Sequence, residues 1–224
     1  MAGLVVLLRH GETTWNAAAR FQGQHDTDLS EAGRSQAEAA AAPLAAALAD
    51  RAPRLVASDL RRARDTADPL AAALGVPVLP DPRLREVAAG TWQGLLQPEI
   101  SALDPERYRA WRSGEDVPLG GAERPSEAGA RVAGAVLEHL PHEQDGDGVL
   151  VAVGHGASAR AAVAHLLGLP ALRGSLVPLG NLAAAVLERT GDGRERWRLR
   201  GWNVPPHAVA AVLAASGAAP VAVT

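Results

Sequence analysis

No cysteine and no lysine occurs among the 224 residues. The first absence removes disulfides, thiolate metal sites and thiol nucleophiles, and fits a reducing, cytoplasmic setting. The second makes arginine the only permanent cation, so an anion site in this chain must use guanidinium, imidazole or backbone N–H groups. The abundance of alanine beside the missing lysine reads as a bias of composition. Charge of one sign is not in excess either: the formal net charge is -3. That leaves no general basic surface for nucleic acid or an anionic membrane. A membrane-length apolar run is also missing. Ala208 to Val223 is mostly alanine, is broken by Ser216, Gly217 and Pro220, and is too short and too weakly apolar to span a bilayer. No basic leader precedes the first apolar run, so a cleaved signal peptide is not expected.

What is present is an alternation. Apolar runs at Leu4–Leu8, Arg54–Ala57, Val76–Leu79 and Val149–Val153 read as strands, and helical patterns follow at Glu31–Leu48, Asp59–Leu74 and Ala157–Leu167. A closing hairpin is expected from Leu182–Glu188 and Glu195–Trp202 around "TGDG". Residues 87–147 read as an insertion or cap with helices near Pro98–Trp111 and Glu127–His139, and residues from about 208 to 224 as a C-terminal tail. The expected architecture is a single α/β domain over 1–224: a three-layer sandwich, its mostly parallel sheet flanked by helices, with the helical insertion near the active site. In such sheets ligands bind beyond the carboxyl ends of the strands.

Those ends carry unusual residues. "LVVLLRHGETTWN" runs from a buried strand into Arg9, His10 and Gly11, where turn formers are the ordinary finish. "VLVAVGHG" ends the same way, at His155 and Gly156. A lone histidine at a strand end is ordinarily structural; two on one rim of one sheet point to a shared site. His155 is expected at a solvent-facing strand end. In "LVASDLRRARDTA", Ser58 reads as a helix N-cap and Asp59 as a first-turn acid. Arg61, Arg62 and Arg64 oppose the helix dipole there unless an anion is bound. Glu86, in "RLREVAAGTWQG", gains interest only from this company. Arg9, His10, His155 and an arginine of the 61–64 cluster make a positive pocket whose natural guest is phosphate.

With these residues in view, the chain resembles the histidine phosphatase superfamily, the phosphoglycerate-mutase-like clan. "LLRHGETTWN", "FQGQHDTDLSEAGRSQA", "ASDLRRARDTA", "RLREVAAGTWQG" and "VAVGHGASAR" stand in that family's order and approximate spacing, from Leu4 to about Ala162. The resemblance implies that His10 is the phosphorylated nucleophile, that Arg9 and His155 flank the phosphoryl group, and that Glu86 is the proton donor. It selects Arg62, directly before Ala63, as the cluster's phosphate ligand and leaves Arg61 exposed. Asn16, Gln22, Gly23 and Gly156 match phosphate-contacting positions. His25, His207 and the remaining histidines are read as structural or surface residues. No cofactor and no metal is implied. The implied partner is a small phosphomonoester, with no nucleic acid or membrane; a homodimer is left open.

The implied chemistry follows from residue types. Arg9, Arg62 and His155 all disfavour a charge on His10, which keeps its imidazole nucleophilic, and the same groups stabilise charge on the transferring phosphoryl group. Glu86 donates a proton to the leaving alkoxide and then activates water. One departure is the stretch "GAER", Gly121 to Arg124, where family phosphatases often carry "GGES". It puts substrate identity in question. The motifs beyond the shared set resemble one branch whose substrate carries a carboxylate beside its phosphate, for which Arg124 or another insertion arginine offers a second anion contact. Two other readings stand: a mutase-type phosphotransferase, against which "EVAAGTWQG" speaks, and a non-catalytic phosphate-binding scaffold, which keeps no need for both His10 and Glu86. A dinucleotide or P-loop binder lacks its glycine spacing.

Overall fold

Strand β1 (Gly3–Arg9) buries every side chain from Leu4 to Leu8, as a strand covered on both faces must. In the computed structural model, which describes residues 3–141, 148–170, 176–191 and 195–215, it runs through the middle of a six-stranded sheet. The other strands are β2 (Ala52–Ala57), β3 (Val78–Pro80), β4 (Gly148–Gly154), β5 (Ala184–Gly191) and β6 (Glu195–Val204). Their order is β3-β2-β4-β1-β5-β6. The first four are parallel; β5 runs antiparallel to β1 and pairs with β6 as the hairpin at one edge.

The helices are α1 (Thr14–Ala17), α2 (Glu31–Leu48), α3 (Arg61–Leu74), α4 (Gln97–Leu103), α5 (Pro105–Ser113), α6 (Pro125–His139), α7 (Gly156–Leu166) and α8 (Val209–Ala214). Alternate residues of β1 serve opposite layers. Leu4, Val6 and Leu8 meet α2, α3 and α8 through Leu44, Ala63, Leu70 and Leu213. Val5 and Leu7 meet α6 and α7 through Val132, Val136, Ala159 and Val163. The stretch read as an insertion therefore divides. Its last helix, α6, covers the sheet, while Val87 to Leu119 gathers with Phe21 around the buried Trp92 and Ile100 in a separate apolar cluster.

Several boundaries differ from the sequence reading, each for a local reason. The helix expected over Pro98–Trp111 is two, because Pro105 supplies no N–H and Asp104 before it takes φ -140°. Helix α3 begins at Arg61, with Leu60 at its cap position, so Ser58 is not the N-cap. The third strand starts at Val78, because Gly75 takes a left-handed φ of 68° and Val76 still donates to the carbonyl of Ala71. The centre of "TGDG" and the tail past residue 215 lie outside the described residues.

The loop after β1 is braced from two helices. Gly11 N–H donates to Thr66 Oγ1 (3.0 Å), and that hydroxyl donates to the carbonyl of Arg62 (2.7 Å). On the other side Ser30, the N-cap of α2, donates through Oγ to Glu12 Oε1 (2.7 Å) while its N–H takes the Glu12 carbonyl. The contact is so close that a Cβ at Gly33 would stand 1.9 Å from that carbonyl oxygen. Gly33→Ala is expected to push the loop away from α2, costing about 1–3 kcal/mol as overpacking does, and to lower phosphoester turnover as His10 shifts. Thermal melting and phosphate release on the same preparation check both effects.

Candidate active site

Because β1 and β4 are parallel neighbours in register, with Arg9 opposite Gly154, the two histidines leave the sheet side by side. Their ring centroids lie 5.1 Å apart, nearly edge to face. Both are buried, His10 at 3 % and His155 at 1 % relative exposure. The expectation that His155 faces solvent is thus wrong. The start of α7 and the side chain of Arg62 close over it.

Hydrogen bonds fix which ring nitrogens carry protons. A carbonyl only accepts, so His10 Nδ1–H donates to the carbonyl of Gly11 (2.6 Å), and in the neutral ring Nε2 keeps its lone pair. Arg62 Nε–H donates to His155 Nδ1 (3.2 Å), so His155 carries its proton on Nε2 and donates it to Ser58 Oγ (2.9 Å). Burial, then Arg62 and Arg9, hold the His10 imidazole well below its ordinary 6.5. Burial first, then Arg62, His10 and Arg9, do the same to His155. Two neutral imidazoles therefore stand beside two cations.

The cations are held by neutral acceptors. Arg62 is fully buried; its terminal nitrogens donate to the carbonyls of His25 (2.7 Å) and Gly23 (2.8 Å). Burial pushes it down to about 10, which leaves it charged near neutrality. Arg9 donates to the carbonyl of Leu179 (2.6 Å), and its buried Nε has no partner among the described residues. Arg61 is instead exposed and pairs with Asp28 at 2.7 Å, and Arg64 is exposed as well.

Glu86 completes the group. Its Oε1 accepts from the N–H groups of Val87 (2.9 Å) and Ser158 (2.7 Å), and its Oε2 from that of Ala157 (3.0 Å), so the carboxylate caps the start of α7. Arg9, His10, Asn16, Gln22, Gly23, Arg62 and Glu86 line one cavity of about 180 Å³, and Gly156 joins Arg9 and Glu86 in the adjoining cleft of about 510 Å³. Asn16 commits Oδ1 to the N–H and hydroxyl of Thr13 (3.2 and 3.1 Å), and Gln22 Oε1 accepts from Thr27 (2.7 Å). Both therefore turn amide N–H groups toward the cavity. His155 stands behind it, reached through Arg62.

Some of what holds the site was not visible in the motifs. Ser58 orients His155. Glu123 accepts from Ala88 N–H (2.9 Å) and pairs with Arg131 (2.9 Å), whose guanidinium also donates to the carbonyls of Arg83 and Arg85 and so fixes the turn before Glu86. Asn181 Nδ2 donates to the carbonyl of His10 (2.9 Å). Trp111 and Arg160 line the cavity and the cleft alike. Arg124, expected as a second anion contact, is a correction: it is exposed and donates to the carbonyl of Asp116, away from the cavity. From that loop it is Leu119 that reaches the cavity wall, while Gly120, at φ 53°, lies so close that a Cβ would stand 2.1 Å from the carbonyl of Ala89. Among the described residues no three His, Asp or Glu side chains gather as a metal site requires, and no helix is long and apolar enough to cross a membrane.

A neutral imidazole beside guanidinium groups, at the carboxyl ends of parallel strands, is an arrangement that moves a phosphoryl group onto and off a histidine. Comparison with known proteins agrees. The family model of the histidine phosphatase superfamily (branch 1) matches residues 5–205. The chain belongs to that superfamily. It is 41% identical over 214 residues to a glucosyl-3-phosphoglycerate phosphatase of Mycolicibacterium vanbaalenii, covering 89% of this chain and 93% of the relative. A metal-independent phosphoserine phosphatase of Arabidopsis thaliana is 41% identical over 161 residues, 70% of this chain and 66% of the relative. Among solved structures, a mycobacterial glucosyl-3-phosphoglycerate phosphatase in complex with VO3 superposes with a TM-score of 0.81 at 38% identity, covering 90% of this chain and 99% of the other.

The buried imidazoles have a consequence for stability. Below about pH 6.5 the unfolded chain takes up protons that folded His10 and His155 do not. Stability from this source is complete above that pH and falls as the pH drops below it, by up to about 1.4 kcal/mol per pH unit for each histidine. Urea midpoints are expected to fall between about pH 7 and about pH 5.5, and to fall less steeply in His155→Asn, whatever that variant's stability at neutral pH.

Proposed function

We propose that the protein is a phosphomonoesterase in which His10 Nε2 attacks the phosphorus of a small phosphorylated metabolite. The observation that carries this reading is the tautomer of His10: Nδ1–H is spent on the Gly11 carbonyl, which leaves the Nε2 lone pair toward a cavity holding Arg9 and Arg62. As the N–P bond forms, the bond from phosphorus to the ester oxygen breaks, and Glu86, which takes up a proton from water as the phosphate dianion enters beside it, gives that proton to the departing alkoxide. Glu86, now a carboxylate, takes a proton from water as the water oxygen attacks phosphohistidine; inorganic phosphate leaves and His10 is free again. Arg9, Arg62 and the amide groups of Asn16 and Gln22 hold the equatorial oxygens, where charge accumulates in the transition state. His155 acts through Arg62, keeping that guanidinium in place. These groups supply the charge neutralisation that a divalent ion gives in other phosphoryl-transfer sites, so activity is expected to survive exhaustive EDTA treatment.

For the substrate we propose glucosyl-3-phosphoglycerate, supported by the two relatives of that name and by a cleft of about 510 Å³ beside the phosphate cavity, ample for a sugar ring and walled by Trp111. The test is phosphate release from a panel of phosphomonoesters by the purified chain. The glucosylated ester is expected to exceed 3-phosphoglycerate and simple sugar phosphates in kcat/KM. If a generic aryl phosphate is turned over well and the glucosylated ester hardly at all, the substrate falls and the phosphatase reading stands.

Glu86→Gln separates the acid from the rest of the machinery. Alkyl phosphates, whose leaving alkoxide needs a proton, are expected to slow by about 100-fold or more, and activated aryl phosphates far less. Equal slowing of both, measured as kcat under saturation, would remove Glu86 from the acid role.

A further inference from the structure

Arg160 is the arginine that α7 brings to the cavity. On α7 it shares a face with Ala157 and Ala164, three and four residues away, and that face borders Val87, Trp111 and Leu119 of the insertion. Ala157 lies at the floor of the phosphate cavity, and Arg160 starts about 4.5 Å further along the helix axis. It borders the phosphate cavity, the adjoining cleft and a third, smaller pocket lined by Leu119, Glu115, Pro125 and His165. It is half-buried, and among the described residues it makes no hydrogen bond and no ion pair; Glu86 is the charge it feels. Of the other arginines near the mouth, Arg20 donates to the carbonyl of Gly94 (2.6 Å) and Arg131 pairs with Glu123, while Arg112, which lines the cleft, is exposed to water. Desolvation lowers Arg160 from its ordinary value, as expected of a cation that has lost water without gaining an anion.

We propose that Arg160 is a specificity-determining residue that binds a carboxylate of the substrate while the phosphate occupies the cavity of Arg9 and Arg62. The claim rests on the phosphomonoesterase reading and deepens it. A half-buried guanidinium that has lost water without gaining an anion matches a carboxylate, which it can hold through two parallel N–H···O bonds. The cleft runs on from this point between Trp111, Arg112 and Leu176, so a neutral sugar joined to the carboxylate-bearing unit has room beyond it.

The test compares two esters with the same three-carbon skeleton, 3-phosphoglycerate and glycerol 3-phosphate, which differ by a carboxylate against a hydroxymethyl group. The wild-type chain is expected to prefer the carboxylate by about tenfold or more in kcat/KM. Arg160→Ala is expected to abolish that preference mainly by raising KM for 3-phosphoglycerate, and Arg160→Lys to restore part of it. A structural role would lower both esters together and leave their ratio unchanged, and that result overturns the proposal. So does a wild-type chain that hydrolyses both esters with no preference. If the wild-type chain releases phosphate from neither ester nor from an aryl phosphate, the phosphatase reading fails, and the carboxylate subsite falls with it.

Discussion

A buried guanidinium with no carboxylate against it governs this site. Arg62 gives up its water for two backbone carbonyls and an imidazole nitrogen, all neutral acceptors. Such a cation is costly to bury, and the cost creates the function: the remaining N–H groups and the charge itself are left to be satisfied by an anion. The same charge explains the histidines. With Arg62 and Arg9 close by, neither imidazole can take a proton cheaply, so His10 stays neutral, with a free lone pair, at neutral pH. Removing Arg62 would thus cost the proposed phosphate ligand, the tautomer of His155 and the neutrality of His10 together.

Sheet topology makes this concentration of charge achievable. The chain passes from β1 across to β2 and returns to fill the gap with β4, so the two His-Gly ends become neighbours only after the sheet closes. The loop after β1 has no regular structure of its own beyond one short turn and owes its position to others. Thr66 ties it to the helix of Arg62, and Ser30 and Gly33 tie it to α2. The Thr66 link is economical in a mechanical sense: one hydroxyl couples the backbone beside the nucleophile to the backbone of its cation. A displacement of α3 would move both groups together and preserve their relative geometry.

The strand ends, the two histidines and the parallel core were legible because they rest on local patterns: unbroken apolar runs, and polar residues placed where turn formers belong. Choosing Arg62 over Arg61 needed the family resemblance, since the two are adjacent and only the rotation of α3 against the sheet decides which is buried. Arg160 was missed for a related reason. Its position on α7 follows the helical period, but its lack of a partner is a property of everything packed around it, and no motif records that. Arg124 failed in the opposite way. It sits in the loop that departs from the family pattern, which drew attention, yet its guanidinium turns back onto Asp116. Ser58 looked like a helix cap because serine before a helix usually is one; its Oγ does accept from the N–H of Leu60 (3.3 Å), but α3 starts only at Arg61, and the same oxygen meets His155.

The missing lysines bear on the site more than composition bias alone suggests. Burial lowers Arg62 to about 10, and it remains a cation near neutral pH. A lysine begins near 10.4. The same burial would bring it closer to neutrality, where a neutral amine would no longer oppose protonation of His10. A lysine also offers no planar fork to donate at once to Gly23, His25, His155 and a phosphate oxygen. The buried, carbonyl-bound cation on which the two imidazoles depend is therefore a place that arginine alone can fill.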